Sequence, residues 1–296
     1  MRKIVSKYGE LIPKDSYEKP RDKYKQSVVY YDSGALKSVY LEEPIQVSTC
    51  IGTINAELIT FYEDQNIKRV FPLYGQVSGY WTEEEEYKLA VPVSVVYNQI
   101  KATVKVLTVS LYRNGALRSI TLWKGEHFDV TLPCGHIYAR LGASFYESGE
   151  LKSIEPEKGT LVSTAIGAIE AYDNNPIGIN ADNNSLVFYK NGEVKSVLTI
   201  KTGIIIRDKI GGEYTIKATK RRSLLSYDQY EYVPLQIMFT KEGIEVKDSK
   251  GNIVSYSYQL HSIETFQNKV INNEMTCTAC EQCGLCKQPI KRTSQL

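Results

Sequence analysis

The chain has 296 residues, 42% of them hydrophobic and 24% charged, which excludes pervasive disorder, collagen-like structure and a coiled coil. The formal charge is +2, and the basic residues gather at the ends: residues 27–286 carry 25 basic against 30 acidic side chains. A body of that sign argues against nucleic acid as a partner, and no apolar run approaches the ~18 residues of a membrane-spanning helix.

Residues 1–27 read as a basic N-terminal segment. They lack the apolar stretch of a secretory signal, so cytoplasmic residence is the expectation. From residue 28 a ten-residue phrase recurs. It reads YYDSGALKSV at Tyr30–Val39, FYEDQNIKRV at Phe61–Val70 and LYRNGALRSI at Leu111–Ile120. It returns as FYESGELKSI at Phe145–Ile154 and FYKNGEVKSV at Phe188–Val197. Apolar and polar residues alternate on either side of a polar turn, the pattern of a half-buried β-hairpin. Gly34, Gly115, Gly149 and Gly192 supply the positive φ of a tight turn. The second copy has Gln65-Asn66 there, with Asn66 expected to turn left-handed.

Neighbours along a strand face opposite sides of a sheet. Leu36, Leu117, Leu151 and Val194 are therefore expected to share a face with Ser38, Ser119, Ser153 and Ser196. Lys37, Arg118, Lys152 and Lys195 are expected on the other face, with Val39, Ile120, Ile154 and Val197, their charged heads exposed. A second phrase precedes three of the copies: Ser48–Ala56, Thr131–Ala139 and Ser163–Ala171 align, each as strand, glycine turn, strand. A unit is thus about three strands. The Tyr positions 31, 62, 112, 146 and 189 are irregularly spaced, so the units carry insertions. One insertion is a short helix over 83–90, opened by a Thr82/Glu85 capping box and placing Glu83–Glu86 at its N-terminus.

Residues 201–265 read as further strands and a capping part, with Met238–Val246 a decayed sixth copy. Lys217–Arg222 (KATKRR) reads as a solvated strand edge. The expected fold is all-β: an extended antiparallel β-array over 28–265 with little helix, followed by a Cys-rich tail over 266–296.

The hairpin phrase resembles the MORN-repeat class, specifically its bacterial variant built on Tyr-x-x-Gly-x-Leu-Lys-Ser. The resemblance covers the five phrases and departs from the class in its irregular spacing and added glycine turn. It implies an extended antiparallel array with scaffolding, membrane-contact or antitoxin-like roles, and rarely catalysis.

Cys277, Cys280, Cys283 and Cys286 stand at three-residue intervals, a density of thiols suited to soft metals or an iron–sulfur cluster. Cys280-x-x-Cys283-Gly-x-Cys286 is similar to bacterial-ferredoxin cluster loops, but Gln288-Pro289 replaces the following Cys-Pro. A [4Fe–4S] cluster would need Cys277 as its fourth ligand. Zinc is the rival, although paired knuckles across a long loop are absent; a tail holding no metal is the third reading. Cys50 and Cys134 fill small-hydrophobe slots of the repeat, and His127, His136 and His261 read as structural. No Gly-x-Ser-x-Gly elbow, phosphate-binding loop or dinucleotide fingerprint occurs, so no residue is assigned as catalytic. The reading is a non-catalytic repeat protein that presents a Tyr-rich sheet to a protein partner and holds a metal in its tail. The alternatives are a redox or metal-delivery accessory protein and a membrane-surface adaptor.

Overall fold

All five phrases close as hairpins of one design. In the computed structural model, which describes residues 3–22, 26–173, 184–222, 230–248 and 251–268, Tyr112 N–H donates to Ala116 O at 2.8 Å. Gly115 N–H donates to Tyr112 O at 3.0 Å, and the same two bonds recur at Tyr31, Tyr62, Tyr146 and Tyr189. The residue three after each Tyr is left-handed, with φ between 83° and 103° at the four glycines. In the second copy Gln65, not Asn66, takes that place, at φ 67°. The turn fixes the position, and the less suited side chain must occupy it; Gln65 Nε2 reaches across to Leu36 O at 3.1 Å.

The hairpins join into one antiparallel meander, so the all-β array is as expected. From Val28–Tyr30 it runs through Leu36–Thr49, Gly52–Phe61, Ile67–Phe71, Ile100–Leu111 and Leu117–Leu122. It continues through Gly135–Phe145, Leu151–Pro156, Leu186–Phe188, Val194–Thr199, Leu235–Phe239 and Gly243–Lys247 to Ile253–Ser257. Pro92–Tyr97 and His127–Leu132 pair onto it from the side, making 15 strands. The single helix among the described residues is Glu83–Leu89, with Thr82 and Glu85 forming both bonds of the capping box.

The distribution of residues between the two faces differs from the period-two expectation. Phe61 and Ile59, two apart on one strand, pair with Ile67 and Val70 on the next. Directly opposed residues share a face, so Ile67 and Val70 share one although three residues apart. The extra residue, Lys68, is left unpaired in a bulge. The same shift recurs in the other four hairpins, and the unpaired residues are Lys37, Arg118, Lys152 and Lys195. Leu36, Leu117, Leu151 and Val194 therefore lie with Val39, Ile120, Ile154 and Val197, all buried. The serines stand on the other face. A bulge at each Lys-Ser step gives one apolar side where strict alternation would give two mixed ones. Lys37 and Lys195 are exposed and the other three basic residues half-buried. Lys37, Lys68 and Lys195 lie 5.4–5.5 Å from the ring centroids of Tyr31, Tyr62 and Tyr189, a cation–π contact that favours a basic residue in the bulge.

The strand after the Tyr31 turn, Leu36–Thr49, continues through a bend into the strand before the next glycine turn, whereas His127–Leu132, Gly135–Phe145 and Leu151–Pro156 make the expected three-strand unit, its long strand bent. Register shifts between Tyr40 and Ile45, Val106 and Thr108, and Arg140 and Ala143 mark the bends. Beyond them the strands end in tip hairpins, 45–56, 92–105 and 127–140, joined by the separate hairpin 160–171. The tips share one core with the sheet: Val47, Ile54, Val130, Ile137, Val162 and Ile169 pack in the same cluster as Phe61, Phe145 and Phe188. They form a second layer over the apolar face.

The N-terminal arm closes the first end of the sheet. Ile4–Ser6 pairs with Gly9–Leu11, Leu11 is fully buried, and Pro13 bridges to Leu41. Arg21 then donates to both oxygens of Glu57, at 3.0 Å each, and to both of Glu86, at 2.6 and 3.0 Å. Trp81 Nε1–H and Gly75 N–H complete Glu86, and Tyr74 N–H donates to Glu57. Burial alone would raise the Glu86 carboxyl, but the hydrogen bonds from Arg21 and Trp81 and the Arg21 charge hold it below its ordinary value. One carboxylate of the acidic run thus binds a cation, the chain's own Arg21, which sequence alone did not connect to it.

Candidate interaction surface

The repeat tyrosines serve the array from within. Tyr31 Oη donates to Phe61 O at 2.8 Å, Tyr62 Oη to Leu111 O at 3.0 Å and Tyr112 Oη to Phe145 O at 2.8 Å. Tyr146 Oη donates to Phe188 O at 2.8 Å and Tyr189 Oη to Phe239 O at 2.7 Å. Each hydroxyl thus reaches the carbonyl just before the next aromatic-Tyr turn. The last bond lands on the expected sixth copy, where Thr240 stands in the Tyr place and the ladder stops. Its turn is one residue shorter, closed by Thr240 N–H to Gly243 O at 2.9 Å.

Where tips meet turns, side-chain size decides what remains open. At the tip of the 92–105 hairpin, the Tyr97 ring meets Phe145 edge-on at 5.0 Å and Asn98 Nδ2 donates to Gly149 O; that junction is filled. The next two tips carry Pro133-Cys134 and Thr164-Ala165 instead. Between them and the turns at Tyr189–Val194 and Phe239–Lys241 lies a groove of about 780 Å³. Val194, Phe239 and Cys134 give it buried apolar walls. Lys190 and Lys241, both exposed, stand at its rim. Glu193, also in the lining, accepts from Asn191 Nδ2 at 2.8 Å within its own turn. A smaller space of about 320 Å³ lies at the first tip, between Cys50 and the turn at Arg113–Gly115.

Cys277, Cys280, Cys283 and Cys286 lie outside the described residues. Cys134 is buried and Cys50 exposed, both as free thiols; burial pushes the Cys134 thiol up, away from the reactive thiolate. No three His, Cys, Asp or Glu among the described residues stand together as metal ligands. His127 and His136 both pack edge-on against Tyr138, and His261 against Tyr256. Lys220 and its neighbours lie on the exposed strand Thr219–Arg222, paired with Tyr230–Val233.

A buried polar cluster on the serine face went unread in the sequence. Glu155 is fully buried and accepts from Ser185 N–H at 2.6 Å and Ser185 Oγ at 2.9 Å, with Arg140 at 3.6 Å. Burial raises its carboxyl, and these partners only partly offset it. Its partners lie 15 and 30 residues away in the chain, a separation that no local spacing signals. No family model, curated protein or solved structure matches the chain.

Proposed function

We propose that the chain is a non-catalytic interaction protein, a variant of the MORN-repeat class, whose groove at the 133–134 and 164–165 tips takes an apolar side chain from a partner protein. The open groove is the observation that carries this reading. Its apolar walls favour burial of an aliphatic or aromatic side chain, and Lys190 and Lys241 favour a carboxylate beside it. Selection of a random peptide library on the full chain tests it. Enriched peptides should pair an apolar residue with an adjacent acid, and should lose binding to Ala165→Trp, which fills the groove, and to Lys190→Glu. Peptides that bind Ala165→Trp undiminished would place the interaction elsewhere.

The four tail cysteines favour a second reading, a redox or metal-delivery accessory protein whose tail is the working part and whose array docks it. The thiolate set suits a [4Fe–4S] cluster or zinc. Anaerobic reconstitution separates the cases: broad absorption near ~400 nm for iron–sulfur, about one colourless zinc per chain otherwise, and neither metal if the tail is a bare thiol segment. Cytoplasmic residence belongs to the same proposal. Among the described residues no helix is long and apolar enough to cross a membrane.

A further inference from the structure

We propose that the terminal strand Ile253–Ser257 is a docking edge for a second copy of this chain, the two strands pairing antiparallel about a two-fold axis at Ser255. Among the described residues this strand pairs only with Gly243–Lys247, so its outer row of N–H and C=O groups is without strand partners. The buried row that crosses the sheet through Val39, Ile120, Ile154, Val197 and Val246 ends on Val254. Exposure there rises from 2% at Val246 to 48%. Ile253 and Leu260 are 56% and 57% exposed, and Tyr258 is exposed beside them. Natural sheets blunt such edges with charges, proline, bulges or very short strands. Here the strand is Ile-Val-Ser-Tyr-Ser, uncharged and without proline, and its five pairs run in unbroken register.

The occupant follows from the strand's own pattern. Val254 and Tyr256 share the apolar face, opposite Val246 and Ile244. A one-residue slip would move both to the wrong side. The self-pairings that keep them in place set a residue against its own copy, and centring on Ser255 engages all five. Val254 then lies opposite Tyr256 of the second copy, and no like charges meet. At the first end, where the N-terminal arm bridges to Leu41, only the three residues Val28–Tyr30 remain as an edge strand, too short to match this strand. Joining the two unlike ends would also propagate without closing, whereas the two-fold pairing stops at two copies.

Light scattering on the eluting full chain, across concentrations up to roughly 100 μM, tests the proposal. A dimer is expected, and Val254→Lys should return it to a monomer with the circular dichroism spectrum and melting curve of the parent at matched low concentration. Ser255→Cys supplies an independent reading, because the two-fold brings that residue opposite its copy at a distance a disulfide can span. Mild oxidation should yield the linked peptide containing residue 255 from both copies, and Ser257→Cys should yield no like-with-like link. A monomer at every concentration, a dimer indifferent to Val254→Lys, or open-ended polymers would each overturn the proposal.

Discussion

At its first end the sheet closes on its own chain, and at its last it stops on a bare strand. The arm of residues 3–22 buries Leu11, bridges Pro13 to Leu41 and ties Arg21 into two carboxylates. Ile253–Ser257 has no comparable cover among the described residues. Repeats stack by burying each apolar face against a neighbour, so the terminal units must find their cover elsewhere. One end finds it in a segment that carries no repeat signal at all. The contrast teaches that the hairpin phrase specifies the interior of the array and leaves its ends to other parts of the chain or to another molecule.

The largest expected effect lies at the closed end. Arg21→Ala strands Glu57 and Glu86 in buried positions without their cation, and removing one partner from such a pair costs about 3–5 kcal/mol. Urea denaturation should register the loss, with the Val254→Lys variant at the open end unchanged as a monomer. Equal effects at both ends would erase the comparison. Within the array, Gly115→Val should cost roughly 1–3 kcal/mol, because a β-branched residue is forced to positive φ. Gln65→Gly, at the same place in another turn, should gain up to about 1 kcal/mol, less whatever its bond to Leu36 O contributes.

Acid should separate the closed end from the middle of the sheet. The Glu86 carboxyl is held below its ordinary value, so its contribution is complete above that value and is lost as pH falls through the folded one. Glu155 runs the other way. Its folded carboxyl is raised, so it retains its proton to higher pH than in the unfolded chain, and stability is lost as pH rises through the folded value. Glu155→Gln should flatten the stability profile on that higher-pH side, and Glu86→Gln the acid side. A profile unchanged by Glu155→Gln would mean the buried carboxyl titrates normally.

The turns were legible because each is set by a few residues in sequence: Tyr, Gly and the two polar residues between them. Thr82 and Glu85 exposed the helix for the same reason. The bulges were not legible, since period-two reading assumes one residue per pleat, and Lys37, Arg118, Lys152 and Lys195 each break that count. The contacts of Lys37, Lys68 and Lys195 with Tyr rings explain a basic residue at that step only once the bulge is known. Arg21, Glu57 and Glu86 come from three elements 29 to 65 residues apart, and the groove depends on the small size of Ala165 and Cys134 beside turns far along the chain. Local chemistry announces itself locally; long-range placement needs the sheet.

The smallest expected effect belongs to the tail, and its value lies in what it separates. Residues 269–296 follow the last described strand, His261–Gln267, which already pairs along its length with Thr202–Asp208. A domain of this size has core enough to fold without metal, unlike a small zinc module whose binding energy is its folding energy. Deleting 269–296 should therefore leave the melting transition almost unmoved while abolishing any bound iron or zinc. The same truncation bears on the open end. If a second copy covers Ile253–Ser257, the truncated chain should dimerise as the full chain does, and Val254→Lys should still break it. If truncation alone converted a monomer into a dimer, the edge would be covered in the full chain by its own tail, and both ends of the sheet would be closed from within.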